Sequence, residues 1–176
     1  MHDPVKNKVS DWYQRNRVRI DGSMIADLGA YDINGSVRQI IPHVVGFDIY
    51  SGKGVDVVVV PGQIPFEHRN RYDFVVTVSA FQFCPNSLAF KFEILDLLKD
   101  GGELFLTMCS VKCKYLHSTS PNIYNFADGV RMTESEIISF MGPEIEALDC
   151  HVADVGEFSD LFFWGKKIPP HQRARW

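Results

Sequence analysis

Two aspartates of this sequence, Asp27 and Asp48, each follow a short apolar run and lie 21 positions apart. Just after the first of them, Gly29 would let a ligand approach the backbone closely, and Gly35 can supply a positive φ angle. A carboxylate about 20 residues beyond such a glycine turn reaches ribose hydroxyls in nucleotide-binding sites. The pattern favours an adenosine-containing ligand, with simple loop capping by Asp48 as the alternative.

A few other side chains suggest chemistry. His117 lies in a long irregular stretch, residues 111–133, and could act as a general base near an acceptor, although most loop histidines are solvated. Arg131 could bind an anionic acceptor or pair with Glu134. The four cysteines form no C-x-x-C pair and no spacing typical of a zinc site. We therefore expect no bound metal, and free thiols in a reducing compartment.

Length and composition limit the classes of protein to consider. The chain has 176 residues, which suits one domain. Hydrophobic residues make up 45% and charged residues 23%, values that exclude disordered and fibrous proteins. A formal net charge of −4 disfavours a general nucleic-acid binder. The sequence shows neither a secretory signal nor an apolar run of membrane-spanning length, so we expect a cytoplasmic protein.

Seven apolar runs predict β-strands, and several are apolar on both faces, as in a sheet covered by helices on both sides. They are Met24–Gly29, Val44–Tyr50, Val55–Val60, Tyr72–Ser79, Gly102–Cys109, Ile145–Ala153 and Leu161–Lys167. Three other stretches predict helices, namely Ser36–Pro42, Asn86–Lys99 and Thr133–Met141. The last of these begins with a capping box, and Gly101 and Gly102 are expected to end the helix before it.

The spacing of the last two predicted strands constrains the topology. About seven residues separate them, whereas a parallel crossover needs a dozen or more, so they must form an antiparallel hairpin or leave the sheet. The predicted fold class is α/β, a Rossmann-like doubly wound seven-stranded sheet that is parallel except for an antiparallel last strand. We expect a single domain over residues 1–176, with an N-terminal segment 1–22, a core 23–167 and a basic flexible tail 168–176.

Five short motifs, taken in order and spacing, resemble those of class I S-adenosylmethionine-dependent methyltransferases, in particular the ubiquinone/menaquinone-methyltransferase-like group (methyltransferase type 11-like). They are Asp27–Gly29, Gly46–Asp48, Ile64–Phe66, Tyr72–Val76 and Leu97–Leu104. The resemblance implies S-adenosyl-L-methionine as cofactor and S-adenosyl-L-homocysteine as product. The dinucleotide fingerprint G-x-G-x-x-G is absent, which disfavours a nicotinamide-dependent oxidoreductase.

The resemblance also implies roles for individual residues. Asp27 would face the methionine amino group of the cofactor, and Asp48 would bind the ribose hydroxyls. The other residues implied to border the cofactor are Gly29, Ala30, Tyr31, Ile49, Gly62, Gln63, Ile64, Ser79 and Ala80. The candidates for the acceptor side are Phe81, His117 and Arg131.

The sequence also departs from the family pattern. Tyr31 and Ile33 stand where the family usually has glycines, and Gln82 stands where many relatives have a glutamate. These departures leave open a catalytically degenerate protein that binds or scaffolds. For an active enzyme we expect a small-molecule or glycan-type acceptor and no nucleic acid, because the motif of amino-methylating DNA enzymes is absent after the fourth predicted strand.

Overall fold

The structure is a computed structural model that describes residues 3–33, 35–84, 86–113, 130–155 and 158–173. Its centre is a seven-stranded sheet. In chain order the strands are β1 (Ile25–Leu28), β2 (Val45–Asp48), β3 (Val57–Val58), β4 (Tyr72–Val78), β5 (Leu98–Cys109), β6 (Ile145–Val155) and β7 (Phe158–Lys167). The described residues also form three α-helices, α1 (Asp3–Ile20), α2 (Ser87–Leu97) and α3 (Glu134–Met141).

The strands lie in the order β3-β2-β1-β4-β5-β7-β6. β1 to β5 run parallel, and β7 inserts antiparallel between β5 and β6. The predicted fold class is therefore confirmed, including the antiparallel last strand. This arrangement places the carboxyl ends of β1, β2 and β4 side by side at one edge of the sheet, which is where α/β folds bind ligands.

Helices cover both faces of the sheet. On one face Trp12 of α1 stacks on Phe105, with ring centroids 4.5 Å apart, and meets Phe74 edge-on at 6.0 Å. On the other face α2 and α3 pack over an apolar cluster that includes Leu104 and Leu106. Because side chains alternate along a strand, β5 supplies residues to both layers. Within the described ranges no helix has the length and apolar character needed to cross a membrane.

The helix predicted over Ser36–Pro42 is wrong. This stretch contains only a 3₁₀ turn, Val37–Gln39, and the hydroxyl of Ser36 caps it by accepting a hydrogen bond from the backbone N–H of Arg38. Its apolar residues are β-branched, and their restricted χ1 angles lower helix propensity. Val37 and Ile41 are nevertheless buried in the same apolar cluster as α1, so the segment covers the sheet without being an α-helix.

The boundary between α2 and β5 also differs from the prediction. α2 ends at Leu97 and β5 begins at the next residue, so the glycines do not end the helix. Gly101, with a φ of +78°, lies instead where the pairing between β4 and β5 shifts register, between Leu98 and Glu103. The left-handed conformation of this glycine therefore serves an irregularity of the strand. The capping box predicted for α3 is confirmed at Thr133 and Glu136.

The carboxyl end of α2 is completed by Lys167, the last residue of β7. Its ammonium group donates to the carbonyl oxygens of Leu95 at 2.8 Å and Leu98 at 2.7 Å, and to the side-chain oxygen of Asn70 at 3.0 Å. Lys167 is only 6% exposed. Burial lowers the pKa of this ammonium group, and the charge of Asp100 opposes that effect. The last strand thus holds the end of a helix from the middle of the chain.

Replacing Lys167 with Ala should lower the free energy of unfolding by about 3 kcal/mol, because buried carbonyl groups lose their partner. Lys166→Ala is the matched control, since its side chain is exposed and its loss should change stability by less than about 0.5 kcal/mol. Urea denaturation followed by circular dichroism measures both values. Equal effects of the two substitutions would contradict this role for Lys167.

Candidate functional site

Three adjacent strands bring together residues that the sequence predicts to bind a ligand. Asp27 lies one residue before the end of β1, opposite Gly46 of β2 and Val76 of β4. Asp48 is the last residue of β2, and Ser79 directly follows β4. The carboxylates predicted to bind the two ends of one ligand therefore lie at the same edge of the sheet.

The carboxyl group of Asp27 is buried at this edge of the sheet. The residue is 3% exposed, and no hydrogen bond from a described residue reaches its carboxyl group. Burial raises its pKa to about 7, while Arg38 lowers the pKa and Asp48 raises it further. An unpaired carboxylate is costly to bury, and a cation placed beside it would favour the ionised form. The group is therefore suited to receive an ammonium.

Asp48 differs because its carboxylate is held by backbone N–H groups. Oδ2 accepts from the N–H of Tyr31 at 3.1 Å, and Oδ1 accepts from the N–H of Tyr50 at 3.0 Å. Burial raises its pKa, and these backbone hydrogen bonds oppose the shift. Asp48 is 6% exposed. The two carboxylate oxygens of Asp48 therefore join the loop that follows β1 to the loop that follows β2.

Several contacts fasten those two loops to one another. We call residues 29–35 the β1 loop and residues 49–56 the β2 loop. The N–H of Asp32 donates to the carbonyl of Lys53 at 2.9 Å, and the two side chains form an ion pair at 2.7 Å. The ring of Tyr31 lies against Gly52, where a Cβ atom would be 2.3 Å from the Cε2 atom of Tyr31. The β1 loop and the β2 loop are therefore joined across this edge of the sheet.

Ser79, the residue that follows β4, also lies at this edge of the sheet, and its backbone conformation is strained. Ser79 has a φ of +54°, and its N–H donates to the carbonyl and the hydroxyl of Thr107 on β5, at 2.9 and 3.1 Å. Such a left-handed conformation is unfavourable for serine and is typical of functional sites. Gly29, with a φ of +90°, packs so closely on Ala80 that a Cβ atom would lie 2.2 Å from that methyl group. Only glycine fits at position 29.

Two of the three residues predicted to flank an adenine, Gln63 and Ile64, line a groove beside β3, and Gly62 is not among its lining residues. Gln63 closes a turn in which its N–H donates to the carbonyl of Val60 at 2.9 Å. The groove has a volume of about 490 Å³. Its lining residues are Val58, Val59, Val60, Gln63, Ile64, Pro65 and Arg69. Gln63 is exposed, whereas Ile64 is buried in the core and Ile49 packs partly buried against the same cluster.

Two of the residues predicted for the acceptor side, Phe81 and Arg131, are engaged in contacts within the protein. Phe81 is fully buried and packs against Phe90 and Phe140, with ring centroids 5.5 and 5.7 Å apart. The guanidinium of Arg131 donates to the carbonyl of Cys113 at 2.8 Å. Its Nε atom is buried and has no hydrogen-bond partner among the described residues. His117, the candidate base, lies outside the described residues.

One positioning residue was missed by the sequence reasoning, which considered Gln82 only as a departure from the family pattern. Its side-chain oxygen accepts from the N–H of Cys109 at 2.7 Å, and its amide nitrogen contacts the Sγ of the same residue at 3.3 Å. The backbone carbonyl of Gln82 accepts from the N–H of Val130 at 2.9 Å. Gln82 therefore joins the ends of β4 and β5 to the segment that precedes α3.

Comparisons with known proteins identify the fold. No family model and no curated protein matches the sequence. Among solved structures, a SAM-dependent methyltransferase from Methanosarcina mazei has a TM-score of 0.63 at 16% identity, covering 83% of this chain and 92% of the other. This chain has the fold of the S-adenosylmethionine-dependent methyltransferases. The likeness does not select the ubiquinone/menaquinone-like group, which stays a prediction.

Other solved structures with the methyltransferase fold differ in their acceptors. The 1,6-didemethyltoxoflavin-N1-methyltransferase of Burkholderia thailandensis has a TM-score of 0.67 at 12% identity, covering 94% of this chain and 79% of the other. The 16S rRNA (adenine(1408)-N(1))-methyltransferase of Catenulisporales acidiphilia has a TM-score of 0.57 at 14% identity, covering 92% of each chain. The methyltransferase fold is thus compatible with small and large acceptors.

Asp27→Asn should stabilise the protein relative to wild type, and increasingly so between about pH 4 and about pH 7. The pKa of Asp27 is 3.8 for the free side chain and about 7 in the folded protein. Ionisation therefore disfavours folding by about 1.4 kcal/mol per pH unit within that window. Below and above the window the difference between the two proteins should be constant. Urea denaturation at a series of pH values measures it.

The matched control is Asp11→Asn on the exposed side of α1. Its stability relative to wild type should not follow this pH dependence. A difference between Asp27→Asn and wild type that stays the same from pH 4 to pH 8 would show that the carboxyl group is not buried as described.

Proposed function

We propose that this chain is a single-domain S-adenosylmethionine-dependent methyltransferase of the cytoplasm. The observation that carries the proposal is the buried carboxyl group of Asp27, which accepts no hydrogen bond from a described residue and lies beside Asp48 at the ligand-binding edge of a methyltransferase fold. The cofactor's methionine part bears an ammonium group and its ribose bears two hydroxyls. These groups match one carboxylate on each of two neighbouring strands, and hydrogen bonds to ionised groups are the strong ones.

In this proposal each residue near the edge has a role. Asp27 accepts a hydrogen bond from the ammonium group, and Asp48 accepts from the ribose. The exposed side of Gln63 flanks the adenine in the groove beside β3. The other residues proposed to border the cofactor are Gly29, Ala30, Ile49, Ile64, Ser79 and Ala80, together with the backbone of Tyr31. S-adenosyl-L-homocysteine keeps the ammonium and the ribose, so the same residues would hold the product.

The protein's contribution to the reaction is mainly alignment. When bound, the cofactor supplies a methyl group already activated on a sulfonium, which an acceptor displaces in line. The contacts of Ser79 with β5 and the packing of Gly29 on Ala80 make the end of β4 rigid next to the proposed reacting atoms. A general base is needed only if the acceptor loses a proton. His117 stays our candidate for that role.

We further propose a small-molecule or glycan-type acceptor. A net charge of −4 is unfavourable for binding a phosphate backbone. The single sheet with three helices contains no second described unit that could recognise a nucleic acid. Arg131, whose guanidinium is held at the start of the segment before α3, would then face the acceptor's side of the molecule.

A second candidate function is a binding or scaffolding protein that has the fold without the activity. The observation that favours it is the state of Asp48, whose oxygens already accept backbone hydrogen bonds from both loops. A cofactor would have to compete with those hydrogen bonds. Binding measurements separate the two functions directly.

Isothermal titration with S-adenosylmethionine and S-adenosylhomocysteine should show binding of both to the wild-type protein. Asp48→Asn should weaken that binding about tenfold or more, since a hydrogen bond to a charged group is lost. Glu146→Gln, on the exposed side of the distant edge strand β6, is the matched control and should bind normally.

Two other outcomes of these binding measurements would favour a different function. Absence of binding by either compound would favour the scaffolding function. Thermal stabilisation by NAD(H), without stabilisation by S-adenosylhomocysteine, would instead favour an oxidoreductase and contradict the proposal.

A further inference from the structure

Tyr31 contacts both Asp48, the carboxylate proposed to bind the ribose, and the β2 loop. Its backbone N–H donates to Oδ2 of Asp48, and its ring reaches across to Gly52 in the β2 loop. The backbone N–H of Tyr50, in the β2 loop, donates to the other oxygen of the same carboxylate. The carboxylate of Asp48 is therefore joined to the backbone of both loops, next to the residue whose ring contacts Gly52.

The contact with Gly52 is close. A Cβ atom at Gly52 would lie 2.3, 2.9 and 3.1 Å from three carbon atoms of the Tyr31 ring. Gly52 does not have the positive φ that favours glycine. The backbone conformation at position 52 therefore does not require glycine. Glycine is required there because the ring of Tyr31 occupies the space that a Cβ atom would need.

The ring is not part of the hydrophobic core. Tyr31 belongs to neither of the two apolar clusters and is only partly buried. Moving it out would cost little packing energy, in contrast to a core aromatic residue. The loops would stay joined beyond it, because Asp32 and Lys53 are connected by a backbone hydrogen bond and an ion pair. Tyr31 can thus move while the rest of the edge stays in place.

We propose that Tyr31 is a cover that occupies the ribose position next to Asp48 and must move aside before an adenosyl ligand binds. This inference rests on the proposed function, and it concerns how access to that same site is controlled. When only a small fraction of the molecules is in the binding-competent state, the apparent affinity for the ligand is reduced in proportion to that fraction. The cover would also slow association, because only molecules with the ring displaced can accept the ligand.

Two substitutions should open the site by different routes. Tyr31→Ala removes the ring, and Gly52→Ala places a methyl group where the ring now lies. Each should raise the affinity for S-adenosylhomocysteine about tenfold, and stopped-flow mixing should show that the gain lies in the association rate. Gly22→Ala adds a methyl group that would have no other atom within 4 Å, and it serves as the matched control, with affinity and rate close to wild type. Gly52→Ala remains decisive if Tyr31→Ala does not fold.

The outcomes distinguish this inference from the function on which it rests. Tighter binding of S-adenosylhomocysteine by Tyr31→Ala and Gly52→Ala than by the wild type supports the cover. Binding by these two variants without binding by the wild type also supports it. If the wild-type protein binds and the opening variants bind equally or more weakly, the cover is refuted while the proposed function stands. If neither the wild type nor any variant binds S-adenosylhomocysteine, both are refuted.

Discussion

The buried carboxyl group of Asp27 is the constraint around which the proposed ligand-binding edge is arranged. The sheet places this group among apolar layers and offers it no described hydrogen-bond donor, at a cost that raises its pKa to about 7. A protein can keep such a group only where the surrounding packing stabilises the fold independently. Here the two apolar clusters on opposite faces of the sheet provide that stability, so the edge can retain an unpaired carboxyl group and the left-handed Ser79.

Much of this arrangement could be predicted because it depends on local patterns. Runs of β-branched residues give the parallel strands, and the short gap before Leu161 excludes a parallel crossover to the last strand. Once the strands are parallel, residues at their carboxyl ends share one edge, which brings Asp27 and Asp48 together without further information. The capping box at Thr133 is a local signal of the same kind.

The remaining features depend on contacts between distant residues. α2 is apolar on several sides, so periodicity could not show that Leu88 and Phe92 would be about half exposed while Ile94 is buried. The glycine at 101 suits a helix end and a strand irregularity equally, and only the pairing with β4 decides between them. Likewise, nothing near Tyr31 in sequence reveals that its ring lies against Gly52.

The position of β7 has a consequence for the order in which the protein assembles during synthesis. β6 occupies the outer position of the described sheet, where it pairs with β7, yet it leaves the ribosome before β7 does. Until β7 emerges, a nascent chain holds β5 and β6 with open hydrogen-bonding edges, and such edges invite association with other chains. The sheet is therefore completed only when β7 has been made and closes the gap between two strands that were made before it.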